Sequence, residues 1–365
     1  MYTERQARVR QQLRAQGLDG LLITQPENRR YLTGFTARDS SPTSSAGWVL
    51  LTPTAGFLLT SFLYYEAALA QAQGVEVVQL SGGLPETTAR LAADLGLRRL
   101  GFEAAALSFA TYRGLQDRLG DTCTLVPTEG LIEDLRAVKD PAEVAAIRRA
   151  VALADQTYAY LREILRPGMT EARAAWLLEA YMREHGAEGM AFEPTVAAGP
   201  HSAIPHHQPT ERPIGIGEPV WVDFGARVDG YCSDITRSFV LGPAPAEYRR
   251  RWELVRQAQE AALAGLRPGL SGREADALAR QVLEAAGYGA AFGHSLGHGI
   301  GLAVHERPRL SRLSEEVLAP GMTVTVEPGL YLPGWGGIRH EDLVVITAEG
   351  IEVLTQAPKE LAWPL

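Results

Sequence analysis

The sequence predicts an α/β (α+β) chain in two parts, an N-terminal α/β domain over residues 1–130 and a larger C-terminal domain over residues 131–365. Three observations predict it. The first ~125 residues alternate short apolar runs with helical spacing, the signature of an α/β unit. A strong helix start, Asp140-Pro141-Ala142-Glu143, then opens a different rhythm of long helices and β-rich stretches. Beyond it a turn recurs. Leu165-Arg166-Pro167-Gly168 precedes Thr170-Glu171, and Leu266-Arg267-Pro268-Gly269 precedes Ser271. Each copy joins a helix pair followed by strands, which suggests two related halves about a pseudo-twofold axis. A chain of 365 residues suits two domains.

In order along the chain, RQARVRQQLRAQG has helical spacing and ends at Gly17, a plausible cap. LDGLLIT reads as a buried strand, and Asn28 to Phe35 as a loop. GWVLLTP and GFLLTS form a hairpin around Pro53 to Gly56. A helix (YYEAALAQAQ), a strand (VEVVQL), a helix (ETTARLAADLG), a strand (RRLGFE) and a helix (TYRGLQDRLG) follow. This part has no Gly-rich phosphate loop and no catalytic cluster. In the C-terminal part, one helix runs from Asp140 to Leu165 and a second from Thr170 to near His185-Gly186. A third spans Glu247 to Leu266. The fourth opens on the capping-box pattern Ser271-Gly272-Arg273-Glu274 and ends near Gly287.

Composition narrows the partners. Hydrophobic residues make up 46% and charged residues 21%, enough for a sizeable core. The net charge of −8 argues against nucleic acid. No apolar run approaches the roughly 20 residues that span a bilayer. The N-terminus is charged and lacks a signal-peptide apolar core, and Cys123 and Cys232 are too few for a disulfide scaffold. The expectation is a cytoplasmic protein without membrane or nucleic-acid partners. All eight histidines lie at or beyond His185, which places any histidine chemistry in the C-terminal part.

Within that part, VDFGARVDGYCSD reads as two extended segments around the turn pair Asp229-Gly230. A two-residue turn sets Asp223 opposite Thr236. Asp234 shares a strand face with Thr236, so both carboxylates project from one side of the ribbon. Like charges so placed need a cation. Either a metal ion supplies it or the hairpin is an exposed polar one, although Trp221, Val222, Phe224 and Tyr231 weaken the second reading. Cys232 shares the face of Asp234 and is assigned to packing. FGHSLGHGIGLAVH gathers His294, His298 and His305 among four glycines. Glu327 ends one β-rich run and Glu341 lies in the next, so each needs a cation if buried. Arg339 could be that cation, and a salt bridge is the plain alternative. Asp223, Asp234, His298, Glu327 and Glu341 together suit a pair of divalent ions.

DFGARVDGYCSDITR, HSLGHGIGLAVHE, TVEPGLY and IRHED resemble, in this order, the metal-binding motifs of the Xaa-Pro peptidases, prolidase and aminopeptidase P. The segment with NRRYLTGF is similar to the creatinase-type N-terminal domain. The resemblance implies a creatinase-like domain followed by a pita-bread catalytic domain, and two divalent ions per subunit, Mn²⁺ or Co²⁺, with Zn²⁺ as the alternative. It implies that Asp223 binds one ion, that Asp234 and Glu341 bridge both, and that His298 and Glu327 complete the second. In HSAIPHH it assigns the substrate-side histidine to His206, with His207 an added neighbour. His206, His305, Glu327 and Arg339 are then catalytic, and His294 and Arg309 substrate-binding. The implied substrate is a proline-containing di- or oligopeptide, and the implied assembly a homodimer. Dipeptidase and aminopeptidase P activities are both open, as is an inactive binding relative. Methionine aminopeptidase is disfavoured by the N-terminal domain, and creatinase by the intact ligand set.

Overall fold

A computed structural model describes residues 1–39 and 44–365. The chain folds into two compact units, Met1–Arg136 and Ala137–Leu365.

In the first unit, strands β1 (Gly20–Ile23), β2 (Trp48–Leu51), β3 (Gly56–Thr60), β4 (Glu76–Gln79), β5 (Arg99–Glu103) and β6 (Thr124–Thr128) form one sheet in the order β4-β3-β2-β1-β5-β6. The β2–β3 hairpin forms as expected, with Trp48 opposite Leu59. Helices α1 (Tyr2–Gln16), α2 (Pro26–Thr33), α3 (Phe62–Gln71), α4 (Leu84–Asp94) and α5 (Phe109–Leu119) accompany the sheet. Leu22, Leu50, Leu100 and Leu115 lie in its core. Asn28 to Phe35 is not the loop the sequence suggested. Most of it belongs to α2, which starts with Pro26 in its first turn and stops at Gly34 in the left-handed region (φ 79°). Tertiary contacts decide the conformation. Asn28, Tyr31 and Leu32 recur at helical spacing and are buried, and Asn28 Nδ2 donates to the buried Glu103 at 2.6 Å.

The short α6 (Glu133–Ala137) precedes α7 (Pro141–Ile164), whose capping box is complete: Asp140 accepts from the Glu143 amide and Glu143 reaches back to the Asp140 amide. Helices α7 and α8 (Glu171–Glu184) pack with β7 (Gly189–Met190), β8 (Thr195–Ala198), β9 (Val220–Phe224), β10 (Ala226–Val228), β11 (Tyr231–Cys232) and β12 (Ile235–Leu241) around one core containing Tyr158, Leu178, Val222 and Phe239. Helices α9 (Ala246–Gly265) and α10 (Gly272–Ala285) pack with β13 (Gly297–Gly299), β14 (Glu306–Leu310), β15 (Thr323–Val326), β16 (Gly329–Leu332), β17 (Gly336–Arg339) and β18 (Asp342–Ile346) around a second core containing Trp252, Leu283, Val324 and Ile338.

The repeated turn is a structural repeat. Gly168 and Gly269 both take positive φ, 88° and 90°. Gly168 N donates to Ile214 O and Gly269 N to Leu318 O, at 2.8 and 2.9 Å. Glu171 N donates to Arg212 O and Gly272 N to Glu316 O. Thr170 bridges Pro213, and Ser271 bridges Val317. Each half therefore hangs a long connection on the start of its second helix. The halves are joined at β12. Glu341 N donates to Thr236 O at 3.1 Å, Arg339 N to Ser238 Oγ at 2.9 Å, and the buried Arg237 pairs with Asp342 at 2.7 Å.

The hairpin behaves as its residues require. Asp229 and Gly230 both have positive φ, 52° and 85°, as a type I′ turn demands. Asp223 lies opposite Thr236. A Cβ on Gly225 would sit 1.9 Å from Ser233 O, so glycine is what lets these strands close. Gly225→Ala is expected to force them apart, destabilise the chain by about 1–3 kcal/mol and separate Asp223 from Asp234. Urea unfolding with manganese analysis checks this, and an unchanged stability and metal content would contradict it.

Candidate metal centre

Five potential ligands converge from the two halves. Asp223 lies on β9 and Asp234 immediately before β12. His298 lies on β13, Glu327 immediately after β15, and Glu341 between β17 and β18. They line one cavity of about 730 Å³, together with His206, His294, His305, Arg309 and Arg339. All ten residues singled out from the sequence thus face one space of the size usual for a small-ligand site.

The centre is tightly built. Ligand atoms of Asp234, His298 and Glu341 all lie within 4.8 Å of one another. His298 Nε2 is 3.7 Å from Asp234 Oδ2 and 3.5 Å from Glu327 Oε1. Its Nδ1 lies 3.1 Å from Gly299 O, a contact that makes Nδ1 the donor and leaves the Nε2 lone pair facing the carboxylates. Glycines on both sides allow this placement. A Cβ on Gly297 would be 2.0 Å from Thr325 O, and one on Gly299 2.1 Å from Arg307 O. Glu341 accepts from Thr236 Oγ1 at 2.8 Å, and Glu327 from Thr325 Oγ1 at 3.1 Å.

Arg339 does not neutralise the group. Its guanidinium pairs with Asp223, donates to Tyr331 OH at 2.6 Å and to Thr236 Oγ1 at 2.9 Å, and stacks over Trp221. One cation therefore meets four carboxylates. Burial, reinforced by the neighbouring acids, pushes Asp234 and Glu341 well up from the usual carboxylate range. Burial also raises Glu327, to about 7. Asp223 Oδ1 is buried without a hydrogen-bond partner. An unpartnered carboxylate oxygen, a deficit of positive charge and an imidazole lone pair aimed into the cluster are what divalent cations would satisfy, so the residues fit such ions. Cys232 is buried outside the cavity lining, in the packing role expected of it.

Around the acids stand three further histidines. Burial lowers His294 and His305, each to about 4, so both rings are neutral near neutral pH. His294 Nε2 lies 3.1 Å from Tyr331 OH, whose other neighbour is Arg339. Tyr331 and Thr236 were not among the site residues chosen from the sequence. Tyr331 alternates with Leu330 and Leu332 in a β-rich run, and no local pattern distinguishes it from core. His206 and His207 both line the cavity, but His207 is buried and bonded at 2.9 Å to Glu171.

The family model of metallopeptidase family M24 matches residues 145–348, and that of the creatinase/prolidase N-terminal domain matches residues 5–138. A Xaa-Pro dipeptidase from Pyrococcus horikoshii is 33% identical, over 94% of this chain and 94% of its own. Among solved structures, a Xaa-Pro dipeptidase from Bacillus anthracis is 40% identical and superposes with a TM-score of 0.94, covering 100% of both chains. An X-Pro aminopeptidase from Thermotoga maritima is 34% identical with a TM-score of 0.86, covering 96% of this chain and 98% of its own.

The raised carboxyl groups make a signed prediction. Asp234, Glu327 and Glu341 hold protons in the metal-free fold at pH values where the unfolded chain has released them. Stability of the chelator-treated protein should therefore fall as pH rises from about 5 to about 8. Manganese should restore more stability at the higher pH, because cations replace the protons. Urea unfolding at both pH values measures this, and a manganese effect that does not grow with pH would contradict it.

Proposed function

The chain belongs to metallopeptidase family M24 and is a hydrolase, and on that premise we propose that it is a Xaa-Pro dipeptidase using two divalent ions, Mn²⁺ or Co²⁺. The observation that carries the reading is the convergence of Asp223, Asp234, His298, Glu327 and Glu341 beside His206, His294 and His305 in one cavity. The relatives named as Xaa-Pro dipeptidases support the substrate. Cys123 and Cys232, both buried and neither in a disulfide, fit a cytoplasmic setting.

Those five residues would hold the ions, which would polarise water and the scissile carbonyl near neutral pH. The chain's own groups do the rest. Glu327, in the cavity beside the other acids, takes a proton from the attacking water and returns it to the departing proline nitrogen. That return is required, because a tertiary amide nitrogen has no hydrogen of its own and leaves poorly as an anion. His206 and the neutral ring of His305 donate to the carbonyl oxygen as charge develops on it. Arg339, held by Tyr331 and Thr236, keeps Asp223 oriented. Phe192, Pro194, Pro205 and Val304 supply apolar cavity wall against which a pyrrolidine ring can pack. Arg309 lines the same space and can meet the carboxylate that only a dipeptide places beside its proline.

Glu341→Ala should abolish Ala-Pro hydrolysis and lower bound manganese, and full turnover with two ions retained would defeat the assignment. Ala-Pro should be cleaved at least about tenfold faster than Ala-Pro-Ala in kcat/KM. Arg309→Ala should shrink that ratio. Faster cleavage of the tripeptide would identify an aminopeptidase P, and no cleavage of either by the manganese-loaded protein would leave only a binding role.

A further inference from the structure

Glu171 opens α8 outside the carboxylate cluster, and its side chain is fully buried. Burying a carboxylate is costly unless donors surround it. Here Oε1 accepts from the Ala198 amide at 2.9 Å and from His201 Nδ1 at 3.0 Å, the latter also 3.1 Å from Oε2. Oε2 accepts from His207 Nε2 at 2.9 Å, the Thr210 amide at 3.1 Å and Thr210 Oγ1 at 2.8 Å. All these donors come from one stretch of chain, residues 198–210, which leaves β8 and carries His206 to the cavity. Beyond the single turn Gly199–Ala203 it has no regular structure up to Thr210. A buried acid with donors from four points along an irregular segment acts as its anchor.

The pseudo-twofold repeat gives independent support. The position matching Glu171 is Gly272, where an added Cβ would lie 2.0 Å from Arg309 O. In both halves, then, the first residue of the second helix touches the segment that brings a side chain to the substrate side. The second half makes that contact with bare backbone. The first half spans a wider gap with a carboxylate. Glu171, His201 and His207 also form a set whose ligand atoms lie within 4.8 Å of one another. Main-chain and hydroxyl donors already occupy both Glu171 oxygens, which favours an anchor over a cation site.

We propose that Glu171 is a positioning residue, which through His207, His201 and Thr210 fixes residues 198–210 and so holds His206 at the cavity. His207 is the connecting link, since it follows His206 directly and its ring is clamped while that of its neighbour stays exposed. This rests on the Xaa-Pro reading for what His206 does, but the anchoring itself does not depend on it.

The test has two arms. In the metal-free protein, hydrogen exchange of residues 199–212 should accelerate at least about tenfold in Glu171→Gln, and unchanged protection there would overturn the anchor whatever the enzyme does. In the manganese-loaded enzyme, Glu171→Gln and His207→Ala should each lower kcat for Ala-Pro about ten- to a hundredfold, with KM and manganese content little changed. His207→Gln, which keeps a side-chain donor, should recover most of the loss. In a His206→Ala background, neither Glu171→Gln nor His207→Ala should reduce kcat further. Additive losses, or no rescue by His207→Gln, would overturn the link to His206. Should Glu171→Gln fail to fold, the His207 pair carries both arms. A zinc equivalent bound by the wild type and lost in His207→Ala would replace the anchor with a metal site.

Discussion

Mutual repulsion of buried acids is the constraint around which the catalytic unit is arranged. Asp223, Asp234, Glu327 and Glu341 share a cavity in which Arg339 is the guanidinium paired with a carboxylate of the cluster, and it is committed to Asp223. Left alone, such a group must take up protons, as the upward shifts of Asp234, Glu327 and Glu341 record. Divalent ions resolve the same conflict while leaving the oxygens free to bind. Stability and chemistry thus meet at one place: what relieves the repulsion is also what activates a peptide bond.

Architecture makes this crowding achievable. One half contributes two aspartates from a tight hairpin, and the other contributes a histidine and two glutamates from strand ends. Glycines at 225, 297 and 299 let backbones approach where any side chain would collide with a carbonyl. Bonds from β12 to the 339–342 stretch join the halves at Thr236, a residue that also serves both Arg339 and Glu341. The candidate ligands are therefore placed by strand register and main-chain contact, the least adjustable features of a fold, as a site that must hold several acids together requires.

Much of this was legible in the residues because the signals are local. Asp229-Gly230 specifies a hairpin, the hairpin sets Asp223 opposite Thr236, and parity puts Asp234 on the same face. The caps at Asp140 and Ser271 and the repeated Arg-Pro-Gly turns likewise act within a few residues. What stayed hidden depends on distant partners. Asn28 to Phe35 looked like a loop because the reason for its helix lies partly at Glu103, far along the chain. Tyr331 gave no sign of its place between His294 and Arg339. Glu171 figures in the sequence only as the residue after the turn that opens the second helix, whereas the structure gives it a buried post with donors drawn from residues up to 39 positions away. The motif resemblance already pointed to His206 over His207, and the structure adds that the ring of His207 is clamped to Glu171 while His206 is exposed at the cavity.

Diffraction from crystals grown with manganese, recorded at the manganese absorption edge, tests the central electrostatic claim most directly. The account predicts two anomalous peaks, roughly 3.5–4 Å apart, among the oxygens of Asp223, Asp234, Glu327 and Glu341, with the second beside His298 Nε2. A cavity without peaks, its carboxyl groups paired with one another through shared protons or turned to solvent, would contradict it.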